Sequence, residues 1–212
     1  MNIACVLRSG GIYGPRWVQC LKAGVERYLP TPHRFVCLSD QPLEGVDVIA
    51  LEEGWPGWWS KLELFRPGVF AGPVLYMDLD TLPVGDLSEI AGWRGELAML
   101  SDFYQPPRAQ SGMMAWTPGE RTAAVFERFA SDAARAMKST RGDGEWLHDH
   151  AGPVDRLQDL FPGQITSLKV HAHPQKHSGP PQGARLVCGH GRPRFNDPSA
   201  GWAHELWKRR TA

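Results

Sequence analysis

The chain has 212 residues, of which 42% are hydrophobic, and this is enough for one large α/β domain with a sizeable core. Its 23 Lys and Arg residues balance its 23 Asp and Glu residues, so the formal net charge is zero. Because the chain has no overall charge to attract nucleic acid or an anionic membrane surface, we expect no nucleic-acid partner, and any anion binding must be local.

Short apolar runs alternate along the chain with segments of helical spacing. In chain order, the pattern predicts a strand at 2–8, a helix at 14–29, strands at 34–39 and 46–51, a helix at 59–66, strands at 73–79 and 96–101, and a long amphipathic helix at 118–138. This alternation is typical of a Rossmann-like α/β fold with a mostly parallel central sheet flanked by helices. We expect a single domain over 1–212, with a loop-rich C-terminal segment from about residue 172.

The N-terminal segment MNIACVLRSGG has no basic region followed by a long apolar core, and no run of about 18 apolar residues occurs elsewhere. We therefore expect no transmembrane segment and a cytoplasmic protein. No CxxC pair occurs, and Cys5 and Cys37 fall in apolar strand-like runs, where a free thiol behaves as a small hydrophobe. All four cysteines are predicted to be reduced and structural.

Polar residues follow four of the predicted strands, in the segments RSGG, SDQ, DLDT and SDFY. The carboxyl ends of parallel strands meet at one edge of a sheet, where ligands bind, so these segments predict a ligand site. The phosphate-binding patterns GxGxxG and GxxxxGK[ST] are absent. A dinucleotide dehydrogenase or a P-loop enzyme is therefore disfavoured.

Asp78 and Asp80 stand two residues apart directly after the apolar run VLYM. Two carboxylates at the point where a strand gives way to a turn can both face one divalent cation, which in turn can bridge the oxygens of a nucleotide diphosphate. The alternative is that both residues only cap a turn.

The segment YMDLDTLPVGDL, at 76–87, resembles the metal-binding strand of GT-A fold glycosyltransferases. The similarity is greatest to the glycogenin-like and bacterial lipopolysaccharide galactosyltransferase group, glycosyltransferase family eight. Four further segments resemble motifs of this family in the same order, across roughly residues 2–195: WWSKLELFRP, QSGMMAW, GDGEWLHDH and CGHGRPRF.

The resemblance implies a metal site and a set of donor-binding residues. Its metal ligands would be Asp78, Asp80 and His190, holding Mn²⁺ or Mg²⁺. The diphosphate would be held by Lys61 and by either Arg192 or Arg194, since the fork of arginine suits phosphate oxygens. Ser9 and Asp40 are expected near the nucleoside.

The resemblance also places residues around the donor sugar. Asp143, Gln110 and Ser111 would orient the sugar, and the negative charge of Asp143 would favour an oxocarbenium-like transition state. Gln110 stands where the family has Asn, and Gly144 stands where it has Gln. Because that Gln is tied to the stereochemistry of the family, the sequence leaves open whether the sugar configuration is retained or inverted.

The implied function is a metal-dependent glycosyltransferase that transfers a sugar from a nucleotide-diphosphate donor, by resemblance a UDP-sugar, to a hydroxyl acceptor. The acceptor is open: a glycan, a lipid-linked molecule or a protein. Two alternatives are a sugar nucleotidylyltransferase and a noncatalytic nucleotide- or carbohydrate-binding protein.

Several residues and segments have a second interpretation. Lys61 can be a solvated helix residue, Asp143 an ordinary turn residue and His190 a surface loop residue. The tryptophans of EGWPGWWSK can pack in the core or stack on a ligand. The recurring histidines at 148–177 permit a separate zinc site. The tail GWAHELWKRRTA predicts a solvated C-terminal helix or a weak peripheral membrane contact.

Overall fold

Residues 1–210 are described by a computed structural model. The strands are β1 (Asn2–Leu7), β2 (Arg34–Ser39), β3 (Asp47–Ala50), β4 (Val74–Met77), β5 (Thr81–Pro83), β6 (Leu97–Ser101), β7 (Ala109–Trp116), β8 (Asp155–Arg156), β9 (Ile165–Ser167) and β10 (Leu186–Cys188). The α-helices are α1 (Pro15–Tyr28), α2 (Ser88–Ala91), α3 (Glu120–Ser131), α4 (Ala133–Ser139), α5 (Asp143–His150), α6 (Leu157–Leu160) and α7 (Trp202–Arg209), and Gly57–Phe65 and Pro198–Ala200 form 3-10 helices.

A seven-stranded sheet in the order β3-β2-β1-β4-β7-β6-β8 forms the centre of the fold. Neighbouring strands are parallel, except that β7 runs antiparallel to both β4 and β6. The prediction of an α/β fold with a mostly parallel sheet is confirmed. Because β7 runs in the opposite direction, its first residues lie at the same edge as the carboxyl ends of β4 and β6.

Both faces of this sheet are covered, as the apolar strands require. Side chains alternate along β1: Ile3, Cys5 and Leu7 pack into one hydrophobic cluster together with α1, whereas Ala4 and Val6 pack into a second cluster on the opposite face. The four cysteines are free and buried, which confirms the prediction of reduced, structural thiols.

A second sheet has three strands in the order β5-β10-β9. Strand β5 begins directly after Asp80, and it pairs antiparallel with β10 from near the end of the chain. The N–H of Gly189 donates to the carbonyl oxygen of Asp80 at 2.6 Å. The last part of the chain thus holds the loop that carries the DxD motif.

The structure corrects three predictions of secondary structure. The segment predicted as a helix at 59–66 is the 3-10 helix Gly57–Phe65. The long helix at 118–138 is divided into α3 and α4 at Asp132, whose side chain caps α4 by accepting from the N–H of Arg135. Strands β5, β7, β8, β9 and β10 were not among the predicted strands.

The C-terminal helix α7 is not simply solvated. Trp207 is buried against Trp17, with 5.1 Å between the ring centroids, so one face of α7 packs on α1. The tail motif ends in Thr211 and Ala212, which lie outside the described residues. Within residues 1–210, no helix combines the length and the apolar character needed to cross a membrane.

Candidate active site

A cleft of about 920 Å³ opens at the carboxyl edge of the large sheet. Its walls come from the ends of β1, β4 and β6, the start of β7, the first turn of α5 and the segment after β10. The cleft brings together most of the residues predicted for the site: Lys61, Asp78, Asp80, Gln110, Ser111, Asp143, His190 and Arg194. Ser9, Asp40 and Arg192 do not line it.

Lys61 lies at the centre of the cleft floor and is buried, so the interpretation as a solvated helix residue is wrong. Its Nζ lies 2.8 Å from Asp143 Oδ2 and 3.3 Å from Asp78 Oδ1, and it donates to Ser111 Oγ at 3.1 Å. Burial alone would lower the pKa of Lys61, but the charges of Asp143 and Asp78 raise this pKa above its usual value. The ammonium group therefore stays charged.

Asp143 is the first residue of α5 and is also buried, which a simple turn residue would not be. The hydroxyl of Ser111 donates to Asp143 Oδ2 at 2.5 Å. This position places the carboxyl group of Asp143 at the positive end of the helix dipole.

Asp78 and Asp80 are supported by two tyrosines. The hydroxyl of Tyr76 donates to Asp78, and the hydroxyl of Tyr13 donates to Asp80 Oδ2 at 2.7 Å. Burial raises the pKa of Asp78, although the charge of Lys61 opposes this effect. Burial and the nearby charge of Asp78 raise the pKa of Asp80 to about 7.

Two half-buried carboxylates, of which Asp78 disfavours the charge on Asp80, suit a divalent cation, whose charge would relieve the repulsion. Asp78 and Asp80 therefore fit the predicted metal. Among residues 1–210, however, no group of three His, Cys, Asp or Glu side chains is arranged to hold a metal ion. The structure does not bring the predicted third ligand, His190, to the two carboxylates.

His190 has partners of its own. Its Nε2 lies 2.6 Å from Ser167 Oγ, and its ring stacks on Phe103 with 5.8 Å between centroids and meets the edge of Tyr104. Burial and the charge of Lys169 lower the pKa of His190, which favours the neutral imidazole. The residue lines the cleft, so it is not the simple surface loop residue of the alternative interpretation.

Gln110 occupies the space that the small Gly144 leaves open. A Cβ atom added at Gly144 would lie 2.9 Å from Gln110 Oε1 and 3.3 Å from Ser111 Oγ. The Nε2 of Gln110 donates to Asp102 Oδ2 at 2.6 Å, which fixes the amide group. The two departures from the family motifs, at 110 and 144, therefore face each other in space.

The pairing between β6 and β7 is interrupted next to Gln110. Leu100 pairs with Gln110, whereas Met99 pairs with Met114, so the residues between the two partners on β7 bulge out of the ladder. Bulges re-aim side chains next to active sites. This bulge contains Ser111, which explains how a strand residue can reach both Lys61 and Asp143.

The two candidate phosphate arginines differ in position. Arg194 lines the cleft, and its buried Nε has no hydrogen-bond partner among the described residues. Arg192 lies outside the cleft wall, and its charge acts on Asp197 instead. An unpartnered buried guanidinium nitrogen favours Arg194 as the phosphate ligand.

Ser9 and Asp40 contact each other at the ends of β1 and β2. The N–H of Ser9 donates to Asp40 Oδ1 at 2.9 Å, and its hydroxyl donates to Asp40 Oδ2 at 2.5 Å. This pair lies beside the cleft and does not line it. A role at the nucleoside stays a prediction.

No role was predicted from the sequence for four aromatic residues of the cleft: Tyr13, Tyr76, Phe103 and Tyr104. Trp58, one of the tryptophans predicted to pack in the core or to stack on a ligand, also lines the cleft. A signal existed for Tyr76, because residues two apart in a strand point to the same face, and Tyr76 precedes Asp78 by two. Tyr13, Phe103 and Tyr104 lie in loops, whose course the sequence pattern does not specify.

A scan against protein-family models and a search of curated proteins found no match to this chain. Among solved structures, the glycosyltransferase GlyE of Streptococcus pneumoniae TIGR4 is similar, with 14% sequence identity and a TM-score of 0.73. The similarity covers 99% of this chain but only 60% of the GlyE chain, so this chain spans about three fifths of the length of GlyE.

The galactosyltransferase LgtC, solved in complex with donor and acceptor sugar analogs, is 13% identical with a TM-score of 0.71. This similarity covers 100% of the present chain and 95% of the LgtC chain. At such low identity the likeness establishes the fold, and it confirms the predicted GT-A fold.

Proposed function

We propose that this chain is a glycosyltransferase that transfers a sugar from a nucleotide-diphosphate donor, a UDP-sugar, to a hydroxyl acceptor. The observation that carries the proposal is the buried ion pair of Lys61 and Asp143, with Asp78 beside it, in the floor of a large cleft. Buried charges are costly, and they gather where a reaction needs them. The similarity in fold to the glycosyltransferases GlyE and LgtC adds support.

The basic residues of the cleft would bind the leaving group. Lys61 carries a fixed ammonium charge, and Arg194 offers an unpartnered nitrogen on the cleft wall. Both would stabilise the negative charge that develops on the diphosphate as the bond to the sugar breaks. A low-dielectric site strengthens this stabilisation.

A divalent cation is part of the proposal. Asp78 and Asp80 would hold Mn²⁺ or Mg²⁺, which when bound supplies Lewis-acid neutralisation of the diphosphate. By family resemblance His190 would be the third ligand, and its bond to Ser167 would then have to be exchanged.

Asp143, Ser111 and Gln110 would act on the donor sugar. Ser111 donates to Asp143 at the cleft floor, and Gln110 Oε1 and Ser111 Oγ both face Gly144, so a sugar hydroxyl group placed there could replace the bond between Ser111 and Asp143. Asp143 would also present a carboxylate to the positive charge that builds up on the anomeric carbon in the transition state. Asp143 and Gln110 are therefore the proposed catalytic residues.

The experiment is a screen of nucleotide sugars with and without Mn²⁺, read first as a shift in thermal unfolding temperature and then as release of UDP and free sugar. We expect a Mn²⁺-dependent shift with UDP-sugars and slow hydrolysis of at least one of them. Asp143→Asn should slow this hydrolysis by about a hundredfold or more, the effect of losing one well-placed polar group, while UDP affinity changes little.

Other outcomes would contradict the proposal. Release of pyrophosphate from a nucleoside triphosphate and a sugar phosphate would identify a nucleotidylyltransferase. Binding of nucleotide sugars without hydrolysis or transfer to any acceptor would identify a noncatalytic binding protein. Normal turnover by Asp143→Asn would remove Asp143 from the catalytic machinery.

A further inference from the structure

Three tryptophans surround the start of the 3-10 helix Gly57–Phe65, and they have different environments. Trp55 and Trp59 are 7% and 6% exposed and pack on Phe129, with ring centroids 4.6 and 5.5 Å away. Trp58, between them in sequence, is 57% exposed. The two buried rings anchor the segment, and the third is presented to solvent.

The exposed ring of Trp58 is part of the cleft wall. A 3-10 helix has three residues per turn, so Trp58 and Lys61 lie on the same face of this helix. Lys61 reaches the buried floor, whereas Trp58 stands one turn closer to the opening. The helix thereby aligns an indole ring with the charged centre of the site.

Trp58 also lies against the residue that precedes Asp143. A Cβ atom added at Gly142 would stand 3.3 Å from the indole Nε1. The indole is thus at the end of the cleft that holds Asp143, near the proposed sugar position. Ser9 and Asp40, the residues expected near the nucleoside, lie instead at the ends of β1 and β2.

Polar groups flank the ring. Arg141, which precedes Gly142, lines the cleft and pairs with Glu145 at 3.0 Å, and Glu145 also contacts Arg108. An aromatic face beside a few charged hydrogen-bonding groups is a common composition of ligand sites. A pyranose ring has an apolar C–H face that can stack on an indole and a rim of hydroxyl groups that can bind such side chains.

We propose that Trp58 is the stacking platform of an acceptor subsite, which binds a pyranose ring of a carbohydrate acceptor at the mouth of the cleft. The inference rests on the proposed function and narrows it, because it selects a glycan from the three open classes of acceptor. The donor sugar is expected deeper, on Asp143, Gln110 and Ser111. The half-exposed indole borders the space through which an acceptor hydroxyl group must approach that sugar.

The test is binding of methyl pyranosides, measured by saturation-transfer NMR on the full chain with UDP and Mn²⁺ present. The probes are the methyl β-glycosides of glucose, galactose and N-acetylglucosamine. We expect ring C–H protons of at least one glycoside to receive saturation from the wild-type protein. Trp58→Ala should lower the affinity for that glycoside by about tenfold, the effect of losing one aromatic stacking contact. Trp58→Phe should recover part of the lost affinity.

Controls separate this role from general effects on the site. Leu160→Ala removes an exposed apolar side chain that does not line the cleft, and it should leave glycoside binding unchanged. Since Trp58 is half-exposed, Trp58→Ala should unfold at nearly the wild-type temperature. Its affinity for UDP should stay within about twofold of the wild-type value, because the indole lies outside the expected diphosphate site.

Three results would overturn the inference: binding of none of the glycosides by the wild-type protein, equal binding by Trp58→Ala, or a parallel loss of UDP affinity in that variant. The last result would assign the indole to the donor. Failure of the proposed function is a separate result. If the wild-type protein hydrolyses no nucleotide sugar but binds a glycoside through Trp58, the transferase proposal fails and the carbohydrate platform stands.

Discussion

Lys61 Nζ lies 2.8 Å from Asp143 Oδ2, and both side chains are nearly buried, with 10% and 8% of their surfaces exposed. The two residues are far apart in the chain and come together only because the 3-10 helix and α5 meet over the start of β7. Neither charge can be removed alone without leaving the other in a low-dielectric environment. The pair therefore links the stability of the fold to the chemistry of the cleft.

This link predicts that Lys61→Met destabilises the protein by about 3 kcal/mol, because Asp143 and Asp78 lose their cation. Adding Asp143→Asn should restore part of the loss, so the double variant should be more stable than the sum of the two single changes. Urea unfolding of the four proteins measures this coupling. Arg34→Met, which breaks an exposed ion pair with Asp47, is the control and should cost less than about 1 kcal/mol. Additive effects of the two buried changes would show that the pair is not coupled.

Asp80→Asn should weaken Mn²⁺-dependent binding of UDP by about tenfold or more while leaving the protein folded. The change removes one of two carboxylates expected to hold the cation, and it also relieves the repulsion between Asp78 and Asp80. The unfolding temperature without metal should be unchanged or slightly higher. Calorimetric titration with UDP, with Mn²⁺ and with excess chelator, measures the effect, and the surface variant Asp159→Asn serves as control. Full Mn²⁺-dependent affinity in Asp80→Asn would contradict the metal assignment.

Arg194→Ala and Arg192→Ala should differ in their effect on the affinity for UDP. Arg194 lines the cleft, and one of its buried nitrogen atoms has no hydrogen-bond partner among the described residues. Its loss should therefore lower the affinity for UDP by about tenfold, the effect of losing one charge-assisted contact. Arg192 lies outside the cleft wall, and its loss should change the affinity by less than about twofold. Titration with uridine, which lacks phosphate, gives the matching control, since neither variant should affect it. Equal losses of UDP affinity would mean that both arginines contact the diphosphate.

Gly144→Gln should destabilise the protein by about 1 to 3 kcal/mol, because the new side chain meets Gln110 Oε1 at close range. Shortening the opposing residue with Gln110→Asn should recover most of this loss and would restore the pair of residues that the family motifs have at these positions. Thermal unfolding of the two single variants and the double variant tests the expectation. Gly179→Gln, at a position with open space around it, controls for the loss of a glycine. No recovery in the double variant would show that the two residues do not compete for one space.

Most of the correctly predicted strands, such as 2–8, 34–39 and 73–79, are apolar on both faces, and burial on both sides leaves a strong local pattern. Strand β7 was missed because its Gln, Ser and Gly break the apolar run at the bulge beside the cleft. The break between α3 and α4 was missed because apolar spacing continues through Asp132, and only the cap shows the interruption.

The residues of the site that belong to sequence motifs were predictable. The motifs identified Lys61, Asp78 and Asp143, and the structure brings these three together. Contacts between residues that are distant in sequence were not predictable. The bond of His190 to Ser167 depends on the pairing of β9 with β10, and the exposure of Trp58 depends on how its two neighbours pack on Phe129. A pattern of residue types contains neither relationship.

The pairing of β5 with β10 has a consequence for the order in which the protein becomes complete during synthesis. A nascent chain that ends before residue 186 already contains Lys61, the DxD motif and Asp143, but it lacks the strand whose neighbour Gly189 holds the carbonyl oxygen of Asp80. Arg194 is also still missing at that stage. The chain must therefore be synthesised through Arg194 before this end of the cleft can assemble, and a product that terminates before residue 186 would lack the part of the cleft for which we propose diphosphate binding.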